Sequence, residues 1–452
     1  MAYLVMGLGR TGCAVLRFLL RAGERVYASD DRQNLPADVA GNPCVTFVAP
    51  QDVEKVLSSV QECIVSPGIH PAHPVIRLLE RRGIPVISEI ELASRYVSFP
   101  LIGVTGSCGK STTVSLIGEM IRSAGYKAFV GGNLGTPLVE SLMGEERPEI
   151  GVVELSSFQL ERVHTARFFV AGVLNLYPNH LDYHTDMETY FRAKGRIFLN
   201  QRFQDWSLFL FSSSPWQARW CRIARGRVLP LAVDMRLFEG LYVLGDTVWQ
   251  GGTPSQALLS LEGCSLLGDH NRGNVLMAVA VSWILGIPKE VVEEVVRSFR
   301  GLPHRLEFVG EWQGIRCYND SKSTTPSSTR AAIAALPGPL VVILGGKAKI
   351  QDFSELTEVL TRDKIRCVVL YGASREVIAK YLPSSVESYL VESLREAVEV
   401  AWHKARKGDA ILLSPACTSW DAYENFEARG EHFKELIRAL GTGASPQPLR
   451  DV

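Results

Sequence analysis

Short apolar runs, often β-branched, alternate with amphipathic stretches along most of the chain. This alternation is typical of α/β layers built on largely parallel sheets. It predicts strands at Tyr3–Met6, Cys63–Val65, Leu101–Val104, Gly151–Leu155, Val170–Asn175, Leu340–Leu344, Cys367–Leu370 and Ala410–Leu413. Ligands of open α/β sheets bind beyond the carboxyl ends of the strands, so we expect the functional residues there.

Two breaks in this pattern predict three domains. The first break lies near Val97–Pro100, where a new strand begins, and the second near Phe299–His304, after a helical stretch. We therefore predict domains at 1–97, 98–299 and 300–452. A chain of 452 residues suits this division, because a single hydrophobic core rarely serves more than about 250–300 residues. The stretch Trp206–Pro254 gives the least clear prediction.

Composition narrows the function classes. Hydrophobic residues make up 46% of the chain, which excludes a disordered protein. Lys and Arg together number 48, as do Asp and Glu, so the zero net charge predicts no bulk attraction to nucleic acid or to an anionic membrane. The nine cysteines are scattered, and no apolar run approaches the ~20 residues of a membrane span. We expect a cytoplasmic protein without membrane insertion.

The first glycine-rich loop, Gly7–Gly12, follows a predicted strand and precedes a predicted helix at Ala14–Arg21. Its spacing is Gly-x-Gly-x-x-Gly, and Asp30 and Asp31 come about 20 residues later. In a dinucleotide-type turn, glycines let backbone amides approach a pyrophosphate while an acid binds a ribose hydroxyl. The pattern indicates an anionic ligand without proving NAD, and a tight turn with no ligand is the alternative.

The second glycine-rich loop, GVTGSCGKST at residues 103–112, lies between a strand and a predicted helix at Val114–Ser123. Amides at a helix N-terminus cradle phosphates, Lys110 would neutralise the β- and γ-phosphates, and Ser111 or Thr112 would reach Mg²⁺. The loop departs from the usual P-loop pattern because Val104 replaces its first glycine. A nucleoside triphosphate is the predicted ligand.

Two further strand ends carry candidate metal ligands. Glu154 ends the strand Gly151–Leu155, where a carboxylate beside a P-loop strand would bind Mg²⁺. His180 and Asp182 follow another strand, and a helix with Lys194 comes next. These three residues suit a metal and phosphate cluster, although Mg²⁺ prefers oxygen to imidazole. Helix capping or simple solvation is the alternative role for Asp182 and for His184, which follows it.

Seven motifs in order resemble those of the Mur ligases, ATP-dependent enzymes that form amide bonds in peptidoglycan precursor synthesis. They are GVTGSCGKST (103–112), ELSSFQL (154–160), NxxxNHLD (175–182), GDHNxxN (268–274), GLPHR (301–305), NDSKST (319–324) and LLSPACxSxD (412–421). The resemblance covers nearly the whole chain. It implies an α/β fold with a Rossmann-like N-terminal domain, a central P-loop ATPase-type domain with a mainly parallel sheet, and a Rossmann-like C-terminal domain.

The resemblance also implies an activity. It points to the family member that adds D-glutamate to UDP-N-acetylmuramoyl-L-alanine through an acyl phosphate, with ATP as co-substrate and two Mg²⁺ ions. It implies a monomer whose partners are these small molecules. A sibling Mur ligase or a folylpolyglutamate synthetase is the alternative within the superfamily, and an NAD-dependent oxidoreductase or nucleotide sensor is the alternative outside it.

The resemblance gives each domain its own ligand. The UDP substrate would bind Gly9, Arg10, Thr11, Gly12, Asp30, Asp31, Ser66, Pro67 and Gly68 in the first domain, and Asn133 and His180 in the central domain. In the centre, ATP would bind Gly106, Gly109, Lys110, Ser111, Thr112, Asn271 and Asn274. The implied Mg²⁺ ligands are Ser111, Glu154, His180 and Lys194, with Lys194 carbamylated so that it offers oxygen instead of a cation.

The third domain would supply the remaining residues. Arg305, Asp320 and Lys322 match positions that close over the nucleotide, and Lys322 joins Lys110, Lys194 and His180 in the implied catalytic set. The pocket for the incoming amino acid would be formed by Thr324, Lys349, Ser419, Trp420 and Phe426. The loop Gly345–Lys349 departs from the more acidic family pattern but keeps Lys349 in place.

Overall fold

The computed structural model describes residues 1–31, 34–133, 135–180, 183–211, 216–264, 266, 268–348, 352–361 and 363–443. The chain forms two compact units. The first contains Met1–Cys264 and His270–Ser298, and the second contains Ser265–Asp269 and Phe299–Val452. The first unit carries two sheets and the second unit carries a third.

The first sheet of the first unit is parallel, with strand order β3-β2-β1-β4-β5. Its strands are β1 (Ala2–Met6), β2 (Val26–Ser29), β3 (Val45–Phe47), β4 (Val60–Val65) and β5 (Val86–Ser88). The helices around it are α1 (Arg10–Arg21), α2 (Pro74–Arg81) and α3 (Glu89–Ser94), with a 3₁₀ helix at Pro50–Ser59. Apolar side chains from both faces of this sheet are buried, as expected for a parallel sheet covered by helices.

The second sheet of the first unit has strand order β14-β13-β12-β11-β10-β9-β6-β8-β7. Its neighbouring strands are parallel, except that β13 is antiparallel to both β12 and β14. Its strands are β6 (Leu101–Thr105), β7 (Ala128–Gly132), β8 (Ile150–Glu154), β9 (Val170–Val173), β10 (Trp206–Phe211), β11 (Arg227–Val233), β12 (Leu241–Leu244), β13 (Thr247–Gln250) and β14 (Gln256–Ser260). Its helices are α4 (Lys110–Ser123), α5 (Ser157–Glu161), α6 (Met187–Gly195), α7 (Trp216–Ile223), α8 (Asp269–Leu285) and α9 (Lys289–Ser298), with 3₁₀ helices at Leu138–Leu142 and Arg196–Phe198.

The sheet of the second unit has strand order β15-β16-β20-β17-β18-β19 and is parallel except between β15 and β16. Its strands are β15 (Glu307–Trp312), β16 (Ile315–Asn319), β17 (Leu340–Gly345), β18 (Ile365–Tyr371), β19 (Glu387–Leu390) and β20 (Ala410–Leu413). Its helices are α10 (Pro326–Ala335), α11 (Ser354–Thr357), α12 (Arg375–Ala379), α13 (Leu394–Lys404) and α14 (Phe426–Thr442). Apolar layers lie on both sides of the central strands.

The predicted fold class, α/β with mainly parallel sheets, is confirmed. Each apolar run named above contributes to a strand, although the boundaries of several elements differ from the predicted ones by a few residues. Helices α1 and α4 begin four residues earlier than predicted, directly at Arg10 and Lys110, because a glycine occupies each N-cap. Strand β9 ends at Val173 instead of Asn175. Within the described residues, no helix is both long enough and apolar enough to cross a bilayer.

A buried carboxylate joins the first sheet to the second. The Glu91 side chain on α3 is 0% exposed. Its Oε2 accepts hydrogen bonds from the backbone amides of His164, Thr165 and Ala166 at 2.9–3.0 Å, and its Oε1 accepts one from the Thr165 hydroxyl at 2.5 Å. Burial alone would raise the pKa of Glu91, but these hydrogen bonds outweigh it and the pKa is lowered.

We predict that Glu91→Ala lowers the free energy of unfolding by about 3–5 kcal/mol, because it leaves three amides and a hydroxyl unbonded. Since the carboxyl pKa is lower in the folded state, wild type keeps this stabilisation above the unfolded pKa and loses it as pH falls through the folded pKa. Urea unfolding should therefore show a difference that shrinks on acidification. Glu54→Ala, which removes only an exposed ion pair with Arg82, is the control, and equal stabilities would contradict the prediction.

Candidate active site

The first glycine-rich loop joins β1 to α1 by a close backbone contact. A Cβ on Gly12 would lie 1.8 Å from the Gly7 carbonyl oxygen, so only glycine fits there. The Ser66 hydroxyl donates to the same Gly7 oxygen at 2.8 Å. Gly9 and Arg10 are exposed at the start of α1. The structure thus brings the predicted residues Gly9, Arg10, Gly12 and Ser66 to one edge of the first sheet.

The two predicted acids of this site have different surroundings. Asp30 follows β2, and its Oδ2 accepts a hydrogen bond from the Leu8 amide at 2.6 Å. Asp30 therefore shapes the glycine-rich loop itself. Asp31 has a 63% exposed side chain, and its Oδ2 lies 3.5 Å from His73 Nε2. Of the two carboxylates, Asp31 is the more accessible to a ligand.

The second glycine-rich loop (residues 103–112), called the phosphate loop from here on, connects β6 to α4. Gly109, the N-cap of α4, has a left-handed backbone with φ of 85°. A Cβ there would approach Asn274 Oδ1 to 2.2 Å, so Asn274 of α8 lies directly against the loop. Asn274 Nδ2 in turn donates to Asn271 Oδ1 at 2.9 Å. The two asparagines predicted to bind ATP therefore adjoin the loop predicted for its phosphates.

Two lysines converge on one carbonyl of this loop. Lys110 Nζ donates to the Gly106 oxygen at 2.9 Å and to the Ser107 oxygen at 3.2 Å. Lys194 Nζ, on α6, donates to the same Gly106 oxygen at 2.9 Å and to Thr105 Oγ1 at 3.2 Å. Ser111 and Thr112 are buried in the first turn of α4. The loop is thus surrounded by lysine amines and hydroxyls that can bind a polyphosphate.

Lys194 is unusual because it is only 1% exposed. Burial, followed by repulsion from Lys110, lowers the pKa of the Lys194 amine well below its ordinary range. Its Nζ also lies 4.8 Å from the centre of the Tyr190 ring. A lowered pKa favours the neutral amine, which is the form that can act as a nucleophile.

Glu154, the last residue of β8, is 3% exposed. Its Oε1 accepts a hydrogen bond from Asn133 Nδ2 at 2.7 Å, which brings a predicted substrate residue to a predicted metal ligand. Its Oε2 is buried with no hydrogen-bond partner among the described residues. A buried carboxylate oxygen in this condition is suited to a bound cation.

His180 is exposed and has φ of 56°. Its ring centre lies 4.9 Å from that of Phe158 in an edge-to-face arrangement. Asp182, its predicted companion, lies outside the described residues. In the described part of the chain, no three side chains of His, Cys, Asp or Glu are grouped as a metal site. The predicted ligand set includes only two such residues, Glu154 and His180, with Ser111 and Lys194 as the others.

In the second unit, Asp320 stabilises a strained turn. Its Oδ1 accepts from the Leu306 amide at 3.0 Å, and its Oδ2 accepts from the Ser414 hydroxyl at 2.8 Å. His304 and Leu306, on either side of Arg305, have φ of 63° and 46°. Burial raises the pKa of Asp320 to about 6. Asp320 thus fixes the backbone that presents Arg305, whichever ligand that arginine binds.

The predicted amino-acid pocket is partly described. Lys322 Nζ lies 5.2 Å from the centre of the Phe426 ring, so these two predicted residues are neighbours. Ser419 is buried, Trp420 is 63% exposed, and Thr324 is half-buried just before α10. Lys349 lies outside the described residues.

Two residues of the candidate site were not predicted. Arg429 of α14 is fully buried, and it donates to the Ser321 hydroxyl, the Ser321 carbonyl and the Cys417 carbonyl at 2.7–3.1 Å. Asn175 contacts the phosphate loop through its side chain. Asn175 is the first residue of the motif NxxxNHLD (175–182), so the sequence did contain a signal for it. Nothing in the sequence around Arg429 marks that arginine as buried.

Three family models match successive parts of the chain. They are described as the Mur ligase MurD-like N-terminal domain over residues 1–88, the Mur ligase middle domain over 104–282, and the Mur ligase glutamate ligase domain over 304–417. The phosphate loop, Glu154, Lys194 and Asn274 fall in the second match. Arg305 and Asp320 fall in the third.

Curated relatives match over almost the full length. A UDP-N-acetylmuramoylalanine--D-glutamate ligase of Syntrophus aciditrophicus is 38% identical over 97% of both chains, and one of Caldanaerobacter subterraneus is 36% identical over 96% of this chain and 98% of its own. Among solved structures, MurF ligase of Thermotoga maritima in complex with ADP has a TM-score of 0.62 at 17% identity, covering 98% of this chain and 95% of its own. UDP-N-acetylmuramate-alanine ligase MurC of the same organism has a TM-score of 0.59 at 18% identity, covering 97% and 100%. The chain belongs to the Mur ligase family, and its first domain is of the MurD-like kind.

Proposed function

We propose that this chain is the ATP-dependent ligase that joins D-glutamate to the alanyl carboxyl group of UDP-N-acetylmuramoyl-L-alanine. The observation that carries this proposal is the 36–38% identity, over almost the whole length, to curated ligases bearing that name. The match over residues 1–88 to the MurD-like N-terminal domain favours this activity over that of a sibling ligase.

A carboxylate is a poor electrophile, so the amide bond requires prior activation. We propose that an oxygen of the alanyl carboxylate attacks the γ-phosphorus of ATP and that the bond to ADP breaks, which leaves an acyl phosphate. The amine of D-glutamate then attacks the acyl carbon, phosphate departs with the bridging oxygen, and the amine releases a proton. Lys110 and the amides of the phosphate loop would hold the transferring group in line and offset its charge.

The residues present fit Mg²⁺ if Lys194 is carbamylated. Glu154 offers a buried oxygen without a partner, while Ser111 and His180 complete the proposed set. An ammonium at Lys194 would oppose a cation, but a neutral amine can attack CO₂, lose a proton and become a carbamate that supplies oxygen. Bound Mg²⁺ would neutralise phosphate charge during transfer. Asn133 would orient Glu154 through the hydrogen bond to its Oε1.

We further propose which residues bind each substrate. The UDP portion would bind Gly9, Arg10, Thr11, Gly12, Asp30, Asp31, Ser66, Pro67 and Gly68, with Asn133 and His180 nearer the reacting end. ATP would bind Gly106, Gly109, Lys110, Ser111, Thr112, Asn271, Asn274, Arg305 and Asp320, with Lys322 contributing to catalysis. D-Glutamate would bind Thr324, Lys349, Ser419, Trp420 and Phe426. The domains would be 1–97, 98–299 and 300–452.

We propose that the enzyme works as a monomer in the cytoplasm, with these small molecules as its partners. None of the nine cysteines, which all lie within the described residues, forms a disulfide, and this suits a reducing compartment. The metals, ATP and the nucleotide substrate are all assigned to residues of a single chain, so the proposed reaction needs no residue from a second copy.

The proposed function is tested by phosphate release from ATP in the presence of UDP-N-acetylmuramoyl-L-alanine and a panel of amino acids. We expect release with glutamate and none above background with alanine, lysine or diaminopimelate. Release that depends on UDP-N-acetylmuramate and alanine instead would indicate the sibling activity. A change in nicotinamide absorbance without phosphate release would support the oxidoreductase alternative and contradict the proposal.

A further inference from the structure

The segment after β9 continues along the phosphate loop although strand pairing has ended. The last paired residues of β6 and β9 are Thr105 and Val173. Beyond them, the Leu174 amide donates to the Thr105 carbonyl at 3.0 Å, and the Ser107 amide donates to the Asn175 carbonyl at 3.2 Å. Two backbone hydrogen bonds therefore extend the contact from the sheet into the loop.

Side chains take over where backbone pairing stops. The Ser107 hydroxyl accepts from the Tyr177 amide at 2.9 Å and donates to the Tyr177 carbonyl at 3.0 Å. The Tyr190 hydroxyl lies 3.2 Å from the same Ser107 oxygen. Ser107 is buried, so these bonds are protected from water.

Asn175 pairs with both polar groups of a single loop residue. Its Oδ1 accepts from the Cys108 amide at 2.9 Å, and its Nδ2 donates to the Cys108 carbonyl at 3.2 Å. A primary amide can do both at once because it carries one acceptor and one donor side by side. An aspartate in this place would lose the donor, and its second oxygen would face the Cys108 carbonyl. The Asn175 side chain thus makes the two hydrogen bonds to Cys108 that a neighbouring strand would make, although Cys108 is an exposed residue of the loop.

We propose that Asn175 is a positioning residue for ATP, which holds the Cys108 peptide so that the phosphate loop is already formed before the nucleotide binds. The proposal rests on the proposed function only for the identity of the nucleotide. A loop that is ordered beforehand loses less conformational entropy on binding, so the fixed loop binds phosphates more tightly. Asn175 itself need not touch ATP.

The test compares kinetic constants of the full-length enzyme with ATP·Mg²⁺, UDP-N-acetylmuramoyl-L-alanine and D-glutamate. We expect Asn175→Ala to raise the KM for ATP about 10- to 100-fold, from the loss of two hydrogen bonds. The KM values of the other two substrates and the kcat at saturating ATP should change by less than about threefold. Isothermal calorimetry with ATP·Mg²⁺ should give a matching rise in Kd.

Asn200 offers a matched control, because its Nδ2 donates to the carbonyls of His164 and Ala166 at 2.8 and 3.0 Å, away from the loop. Asn200→Ala removes two amide-to-backbone hydrogen bonds and should leave the KM for ATP unchanged.

Asn175→Asp keeps the side-chain volume and serves if the alanine variant does not fold, and it should also raise the KM for ATP. An unchanged KM for ATP in a folded Asn175 variant, or an equal rise for all three substrates, would overturn the inference. A wild type that does not bind ATP would instead contradict the proposed function.

Discussion

Replacing Lys110 by alanine should reduce ligation about 10²- to 10³-fold or more while the protein stays folded. Lys110 Nζ is bonded to the carbonyls of Gly106 and Ser107 in its own loop, so no distant element depends on it in these contacts. Its ammonium would offset the charge of the transferring phosphoryl group, and a neutral methyl group cannot. ADP production coupled to pyruvate kinase and lactate dehydrogenase measures the loss.

Lys55→Ala is a suitable control for the Lys110 variant. Lys55 is exposed and paired only locally with Asp52, so its removal deletes a positive charge without touching the proposed site. We expect this control to retain full activity and both variants to keep the melting temperature of wild type within a few degrees. Near-normal turnover by Lys110→Ala would rule out the phosphate-loop assignment.

The second large effect is expected at Lys194. Lys194→Ala should lose at least about 100-fold in activity, because it removes a ligand from the proposed metal set. Short-chain carboxylic acids such as acetate should restore part of the activity, since a free carboxylate can replace the missing carbamate oxygen. Lys194→Arg keeps a long basic side chain but cannot form the carbamate, so it should be inactive in the absence of additive.

Direct detection of the carbamate distinguishes the loss of a metal ligand at Lys194 from a simple loss of packing. Wild-type enzyme incubated with ¹³C-labelled bicarbonate should give a carbamate resonance in the ¹³C spectrum, and Lys194→Ala should give none. The neutral amine required for this reaction is consistent with the lowered pKa of the buried Lys194. Full activity of Lys194→Ala without additive, or no carbamate signal from wild type, would remove Lys194 from the metal set.

The sheets were predictable because buried parallel strands have a strong sequence signal. Leu101–Val104 and Leu340–Leu344 are continuous apolar runs followed by glycine or small residues, and both became central strands. The stretch Trp206–Pro254 was harder to predict. Its strands lie toward one end of the second sheet, where β12 and β13 pair antiparallel and no helix separates them.

Side-chain contacts between distant segments were less predictable than strands. The motifs predicted that Glu154, Lys110 and Lys194 belong to one site. They did not predict that both lysines donate hydrogen bonds to the Gly106 carbonyl. The early end of β9 is a related case. Apolar Leu174 continues the strand pattern, yet Ser107 and Asn175 supply side-chain hydrogen bonds that replace the ladder. The periodicity of apolar residues does not show where side-chain hydrogen bonds will replace backbone pairing at the end of a strand.

The ligation of D-glutamate to UDP-N-acetylmuramoyl-L-alanine at the expense of ATP is tested most directly by phosphate release with that nucleotide and each enantiomer of glutamate, together with the mass of the product. We expect one phosphate per product and, with D-glutamate only, a product heavier by one glutamyl residue. Equal or greater turnover with L-glutamate, or phosphate release without the glutamyl product, would contradict it.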